Sequence, residues 1–198
     1  MLKQKERLTK EKIFDTAVIL FSEEGYKNVS MRDIAKVVGI KASSLYNHYS
    51  SKEEILYSLL DFYLEHWQQK APSTEELLSL VETSHPYEVL KLLSFRFDPD
   101  LQDRMNRILL IAIREMFIDT KCEELVGNCH VNRMVLKLVL DRMVELGKIE
   151  PLDTSAINTL AVNYALGAAT INGTNLKIDW DEWLNGFHLI FSLIKPVE

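Results

Sequence analysis

Cysteine, glycine and proline are scarce in this chain of 198 residues, and no hydrophobic run is long. Two cysteines, Cys122 and Cys129, cannot build a disulfide framework and fit a reducing compartment. The apolar run from Ile108 to Ile113 is far shorter than the roughly 20 residues that a membrane-spanning helix needs. The charged first residues lack the apolar centre of a secretory signal. Together these features predict a cytoplasmic protein that has no membrane partner.

Sequence motifs for catalysis and for metal binding are also missing. The sequence contains no nucleophile elbow, no phosphate-binding loop and no HExxH motif, so nothing in it supports an enzyme. Cys122, Cys129 and the adjacent His130 are too few ligands for a metal or redox site. His48 has no second ligand four residues away. We therefore expect neither metal nor cofactor, and the role of the cysteines stays open.

The net charge of −6 hides two unlike parts of the chain. Residues 1–52 contain 10 Lys and Arg against 6 Asp and Glu, whereas residues 53–198 contain 13 against 23. Because exposed charges are screened beyond about 10 Å, the local balance matters more than the total. A basic head and an acidic body predict that the head meets phosphate.

Apolar residues recur at helical spacing along the whole chain, and no stretch alternates long enough for a sheet. We therefore predict an all-α fold of about nine or ten helices. A first helix carries Ile13, Ala17 and Phe21 on one face and stops near Gly25. Ser51 opens the connecting helix 51–69 with a capping box. Further helices are predicted at 74–82, 86–95, 99–118, 122–147, 154–174 and 180–195.

The head has the pattern of a helix-turn-helix. Ser30 is the predicted N-cap of a short helix that Gly39 ends, because glycine adopts positive φ without steric strain. A third helix, from Ala42 to Tyr49, can turn Leu45 inward and polar residues outward. A helix at this spacing fits the major groove, which is roughly 12 Å wide. The pattern divides the chain into a DNA-binding domain, 1–52, and a helical domain, 53–198.

Residues 10–56 resemble the DNA-binding domain of TetR-type transcriptional regulators. The resemblance is carried by the following segments, in this order: Ile13-Phe14-Asp15-Thr16-Ala17, Leu20-Phe21, Gly25-Tyr26, Ser30-Met31-Arg32-Asp33-Ile34-Ala35, Gly39-Ile40, Ser44-Leu45-Tyr46-Asn47-His48-Tyr49 and Lys52. It is dense over some 45 residues, and the rest of the chain has no comparable motif.

The resemblance implies which head residues contact DNA. Phosphate contacts are expected from Tyr46, His48, Lys52 and the backbone around Ser30 and Met31. Base or near-base contacts are expected from Arg32, Lys41, Ser43 and Ser44, with Asn47 facing either base or backbone. Two alternatives stay open. The tyrosines Tyr46 and Tyr49 suit a core position as well, and the two lysines suit ordinary solvated positions.

In TetR-type proteins the helices after the connecting helix surround a ligand cavity, so the resemblance implies an effector pocket in the body. Polar groups in apolar surroundings are the useful hints, because such a site needs a few oriented polar groups. Plain core packing is the competing interpretation of the aromatic residues. The candidate pocket residues are Trp67, Phe95, Phe97, Met105, Leu109, Met116, Asn132, Asn163 and Tyr164.

Small residues recur at every fourth position of the helix 154–174, and bulky apolar residues mark the last helix. Such a ridge lets another backbone approach closely. The resemblance implies that the last two helices form a four-helix bundle with a second subunit, and packing within one chain is the alternative. The candidate interface residues are Ala161, Ala165, Ala169, Gly173, Trp183, Phe187, Ile190, Phe191 and Ile194.

The resemblance thus implies a ligand-responsive regulator, most often a repressor, whose homodimer binds a pseudo-palindromic DNA operator. A small-molecule effector, which the sequence does not identify, would release it. The alternative functions are a helical small-molecule-binding protein or an adaptor whose head no longer binds DNA. The sequence predicts neither the operator and its genes nor the direction of regulation.

Overall fold

The computed structural model describes residues 2–70, 72–93, 98–174, 185–186 and 189–197, and these residues confirm the predicted all-α fold. Among them the only β-type pairing is an isolated bridge between Ile149 and Pro196. None of the helices in these ranges has the length and apolarity to cross a membrane. A 3₁₀ turn, Tyr26–Asn28, follows the first helix. The helices are α1 Leu2–Glu24, α2 Met31–Val38, α3 Ala42–Tyr46, α4 Lys52–Lys70, α5 Thr74–Thr83, α6 Pro86–Leu93, α7 Pro99–Glu115, α8 Thr120–Glu145 and α9 Thr154–Asn172.

Side-chain caps fix where several of these helices begin. Ser30 caps α2, Ser73 caps α5 and Asp98 caps α7, each accepting a hydrogen bond from a backbone N–H three residues on. The predicted box at the start of α4 is only half formed. Ser51 accepts from the Glu54 N–H at 3.0 Å, but the Glu54 carboxylate turns to the Ser50 N–H at 2.6 Å.

Several helix bounds differ from the sequence prediction: α8 begins and ends two residues early, at Thr120 and Glu145, and α9 ends two residues early, at Asn172. α3 ends at Tyr46 rather than Tyr49, because the chain continues as a turn through Asn47 and His48. α7 ends at Glu115, three residues early, where a turn leads to the Asp119 cap of α8. The predicted last helix, 180–195, falls mostly on residues outside those that the structure describes.

One hydrophobic core joins the head to the body. Ile13, Phe21 and Leu45 from the head share a buried cluster with Ile108 of α7 and Leu125 of α8. The predicted division after residue 52 therefore crosses a continuous core, and it stays a prediction. A consequence is that the head rests directly on α7 as well as on α4.

A second buried cluster lies in the distal part of the body. It joins Leu77 and Val81 of α5 to Val139 and Leu140 of α8. Ile194 near the C-terminus packs into the same cluster. The long helix α8 therefore contributes its first turns to one core and its last turns to the other.

Candidate nucleic-acid interface

α2 and the turn after it hold the head in a fixed geometry. The Ser30 hydroxyl donates to the Asp33 carboxylate at 2.6 Å, and the Asp33 N–H donates back to the Ser30 hydroxyl oxygen at 3.3 Å. The Ser30 hydroxyl and the Ser30 backbone N–H, which also donates to the Asp33 carboxylate at 2.9 Å, hold the pKa of Asp33 below its ordinary value. Gly39 ends the helix with φ of 78°, and the next N–H, of Ile40, donates to the Ala35 carbonyl at 3.0 Å. The predicted turn is thus present.

α3 presents one side to the core and the other to solvent. Leu45 is fully buried and Tyr49 is 3% exposed, whereas Tyr46 is 53% exposed. The two tyrosines therefore differ: Tyr49 is a core aromatic, whereas Tyr46 is exposed, as its predicted phosphate contact requires. The burial of Tyr49 also raises the pKa of its hydroxyl.

The exposed side of α2 and α3 brings the predicted base-contacting residues together. Arg32, Lys41 and Ser43 are exposed, as is Asn47, and Ser44 is half-buried beside them. His48 is half-buried at the end of the turn. This surface offers guanidinium, ammonium, amide and hydroxyl groups, the side-chain types that hydrogen-bond base edges and phosphates.

Three of the predicted contact residues are used inside the protein. Met31 is 8% exposed, so only its backbone can face DNA. The Ser30 side chain is occupied by the capping box. Lys52 donates through its Nζ to the carbonyls of Tyr26 at 2.6 Å and Val29 at 2.8 Å.

The ammonium group of Lys52 is therefore first a structural clamp. Its Nζ lies 4.2 Å from the centre of the Tyr26 ring, and partial burial lowers its pKa. A lysine has three N–H donors. The two carbonyl bonds leave one donor for the predicted phosphate contact.

A depression of about 490 Å³ adjoins the exposed side of α2 and α3, which we call the reading surface. The sequence prediction did not include this depression. His48 and Tyr49 form one side of it, and Arg7 and Lys10 of α1 line another. The Lys10 Nζ lies 5.0 Å from the centre of the Tyr49 ring. The basic start of the sequence was the available signal, because it places Lys10 and Arg7 about one and two turns before the first buried residue of α1.

The candidate pocket residues are not gathered into one place. Met105 and Leu109 are buried in the core that joins head and body, with Trp67 and Met116 partly buried against it. Tyr164 packs on the distal core and touches Gly186. Asn163 is exposed, which corrects its assignment to an internal pocket of the single chain. Phe95, Phe97 and the side chain of Asn132 lie outside the described residues.

Two of the four predicted small interface residues, Ala161 of α9 and Gly173 just after it, pack against the chain's own helices, which corrects the interface prediction for these two. Ala161 is 2% exposed within the distal core. Gly173 packs against α7 so closely that a Cβ there would lie 2.8 Å from the Asn106 carbonyl oxygen. Ile194 is also buried within the chain. These three residues are unavailable to a second subunit.

The other interface candidates lie at the edge of the distal core or outside the described part. Ala165, Ile190 and Phe191 are half-buried. Trp183, Phe187 and the side chain of Ala169 lie outside the described residues. The outward apolar surface instead contains Leu160 and Ile171 of α9 and Leu189 and Leu193 near the C-terminus, which are 52%, 41%, 68% and 55% exposed.

The head is similar in sequence to the DNA-binding domains of known regulators. Residues 13–59 match the profile of bacterial regulatory proteins of the tetR family. The biofilm operon icaADBC HTH-type negative transcriptional regulator IcaR of Staphylococcus epidermidis is 56% identical over 46 residues. That match covers 23% of this chain and 25% of IcaR. The resemblance read from the head residues is confirmed.

Solved structures of regulators share the fold over nearly the whole chain. The ketosteroid transcriptional regulator KstR2 of Mycobacterium tuberculosis has a TM-score of 0.69 at 20% identity, covering 94% of each chain. The TetR family transcriptional regulator PfmR of Thermus thermophilus has a TM-score of 0.63 at 20% identity. That alignment covers 94% of this chain and 95% of PfmR. At this identity the likeness shows the fold.

Proposed function

We propose that this protein is a TetR-family transcriptional repressor that binds a pseudo-palindromic DNA operator as a homodimer. A small-molecule effector then releases it. The observation that carries the proposal is the capped α2–Gly39–α3 unit, whose exposed side gathers Arg32, Lys41 and Ser43 above a buried core.

The charge distribution along the chain supports binding of DNA by the head. The excess of cations in residues 1–52 and the excess of carboxylates in residues 53–198 turn the head rather than the body towards phosphate. Phosphate contacts supply most of the sequence-independent affinity and fix the register, and contacts to base edges supply the specificity.

Repression is proposed from the relatives. IcaR, with which the head shares 56% identity over 46 residues, is named as a negative regulator. A bound repressor needs no contact with other proteins, because it acts by occupying the operator. The direction of regulation is therefore the part of the proposal that depends most on the relative.

The proposed dimer uses the outward apolar surface of the distal body. Leu160 and Ile171 lie on α9, and Leu189 and Leu193 lie in the C-terminal segment that touches α9 at Tyr164 and Gly186. Large apolar side chains that are about half exposed lose water on association, which is the main favourable term in dimer formation. Two heads held in this way would read half-sites about one helical turn apart.

The effector acts, in this proposal, by favouring a dimer whose heads no longer match successive major grooves. An effector shifts that equilibrium only by its difference in affinity for the two states, about 1.4 kcal/mol for each factor of ten. An effector that binds tightly and leaves operator affinity unchanged would contradict this coupling.

Selection of genomic fragments by the purified full-length protein tests the proposal. We expect a few fragments with a common inverted repeat to be retained at about 150 mM salt, and the genes beside them to indicate the effector class. Arg32→Ala together with Lys41→Ala should abolish retention in a protein that still unfolds cooperatively. Failure of the unaltered protein to retain any fragment at low salt would favour a ligand-binding protein or an adaptor.

A further inference from the structure

Three arginines on one face of α7 reach across to α1 of the head. Arg104 pairs with Asp15 at 3.0 Å. Arg107 donates to the Ser22 hydroxyl at 3.0 Å and lies 3.4 Å from the Glu23 carboxylate. Arg114 donates to the Ser22 backbone carbonyl at 2.5 Å. The three arginines lie three and seven residues apart, so that they share one face of a helix with 3.6 residues per turn.

These contacts bring hydrogen-bond donors and positive charge to the C-terminus of α1. The last carbonyls of a helix have no intrahelical partner and carry a partial negative charge. The last turn of α1 contains no basic residue. Arg107 and Arg114 bring guanidinium groups to this turn from α7, and Arg114 directly caps a carbonyl there. A body helix thus caps the main helix of the head.

Arg107 is held from several sides in a buried position. It is 9% exposed, and its Nε also donates to Asp103 at 2.8 Å. Ser22, which accepts its second bond, is 1% exposed. Because a guanidinium keeps its proton in proteins, this charge requires its partners to stay in place. The relative position of α1 and α7 is therefore narrowly defined at this point.

Arg104 extends the contact to a third helix. Its guanidinium carbon lies 5.5 Å from the centre of the Phe62 ring of α4 and 6.0 Å from that of Phe14 of α1. The two rings lie 5.1 Å apart. Arg104 therefore contacts both α1 of the head and the connecting helix α4.

We propose that Arg104, Arg107 and Arg114 are positioning residues that set the orientation of the helix-turn-helix on the body. The inference rests on the proposed function, because head orientation matters only if two heads read one operator. Since α2 and α3 pack on Ile13, Ala17 and Phe21 of α1, a rotation of α1 carries the reading surface with it.

The Arg104–Asp15 pair is only partly buried. Burial raises the pKa of Asp15 more than the attraction of Arg104 lowers it. The neighbouring Glu11 carboxylate raises the pKa of Asp15 further. Partly buried ion pairs define geometry more than they add stability.

The test exchanges the charges of the Arg104–Asp15 pair in the full-length protein. We compare Arg104→Glu, Asp15→Arg and the double variant on the selected operator and on the same operator with one added central base pair. The added base pair turns one half-site by about 34°. We expect the unaltered protein to lose about tenfold in affinity on the longer operator. Each single variant should lose less than about threefold in affinity when the base pair is added. The double variant should restore the tenfold preference for the shorter operator.

Arg142→Glu is the matched control. Arg142 has a similar exposure and pairs with Glu82 of α5 and Glu145 at 2.8 and 3.2 Å, but it does not touch α1. It should keep the preference of the unaltered protein for the shorter operator. Arg104→Glu with that same preference would overturn the inference, because the head would then be held without the pair.

Hydrogen exchange separates this inference from the proposed function. Amide exchange in residues 15–24 should be faster in Arg104→Glu and return to the original rate in the double variant. If the unaltered protein retains no operator, the proposed function fails. If amide exchange in Arg104→Glu is unchanged, the Arg104–Asp15 contact does not hold α1, and the further inference fails. Arg107→Lys keeps the charge but loses the planar fork, and faster exchange there supports the arginine geometry.

Discussion

Lys41 and Lys52 flank the same reading surface, yet their surroundings differ. Lys41 is exposed at the N-terminus of α3. Lys52 is clamped on two backbone carbonyls and on the Tyr26 ring. The sequence predicted a DNA contact for both, because it shows a lysine and not where its ammonium group lies. At the scale of single residues, the surroundings of the ammonium group therefore distinguish two lysines for which the sequence motif predicts the same role.

Replacing these two lysines should give different results. Lys52→Met removes the donor to two carbonyls, so we expect the free energy of unfolding to fall by about 1–2 kcal/mol in urea denaturation. Lys41→Gln should leave it within about 0.5 kcal/mol and instead relax the base preference at one operator position, as expected for a base or near-base contact. Equal unfolding of the two variants would contradict the clamp.

Ser43 and Ser44 should determine which bases are preferred. Their hydroxyls lie early in α3, where side chains reach base edges. We expect Ser43→Ala and Ser44→Ala to change the base preference at one or two positions of a randomised operator library, with little change in salt dependence. Preferences identical to those of the unaltered protein would reject their assignment.

At the scale of helices, the prediction was most accurate where a cap marks a boundary. α2, α5 and α9 begin at the predicted residues because Ser30, Ser73 and Asp153 each accept an N–H three residues on. α3 was predicted too long, because Tyr49 continues the apolar spacing although the backbone there has become a turn. Periodicity shows which residues face inward, whereas it does not show where the helical hydrogen bonds stop.

Gly39 tests the role of the turn between α2 and α3, and Gly127 of α8 is the control. Gly39 has φ of 78°, and a Cβ there would meet nothing within 4 Å. Gly39→Ala should therefore lower the free energy of unfolding by about 1–2 kcal/mol through backbone strain alone. Gly127→Ala, within α8 and equally unobstructed, should raise it by up to about 1 kcal/mol. Thermal unfolding of both variants measures the difference, and a loss in both would argue against a conformational cause.

At the scale of the whole molecule, the sequence indicated the fold but not which face of α9 is free. The small residues Ala161 and Gly173 allow close approach by any helix, and in this structure the approaching helices belong to the same chain. The continuous core across residue 52 could not be read from the sequence for a similar reason. Helical spacing predicts that Ile108 is buried, whereas only the tertiary structure shows that its helix, α7, packs against α1 of the head.

The outward surface predicts how the dimer can be disrupted. Leu160→Glu or Leu189→Glu places a charge where we propose a subunit contact, and the desolvation of that charge should shift the protein to a monomer in analytical ultracentrifugation. Phe117→Glu is the control, because Phe117 is 87% exposed between α7 and α8. A dimer that survives both leucine substitutions would place the interface elsewhere.

The central claim is that two copies of the capped α2–Gly39–α3 head read one operator together. Hydroxyl-radical footprinting of the full-length protein on a selected genomic fragment tests it most directly. The claim predicts two protected patches whose centres lie about 10 base pairs, or a multiple of that, apart, both lost in the Arg32→Ala, Lys41→Ala protein. A single patch, or protection that survives those substitutions, would contradict it.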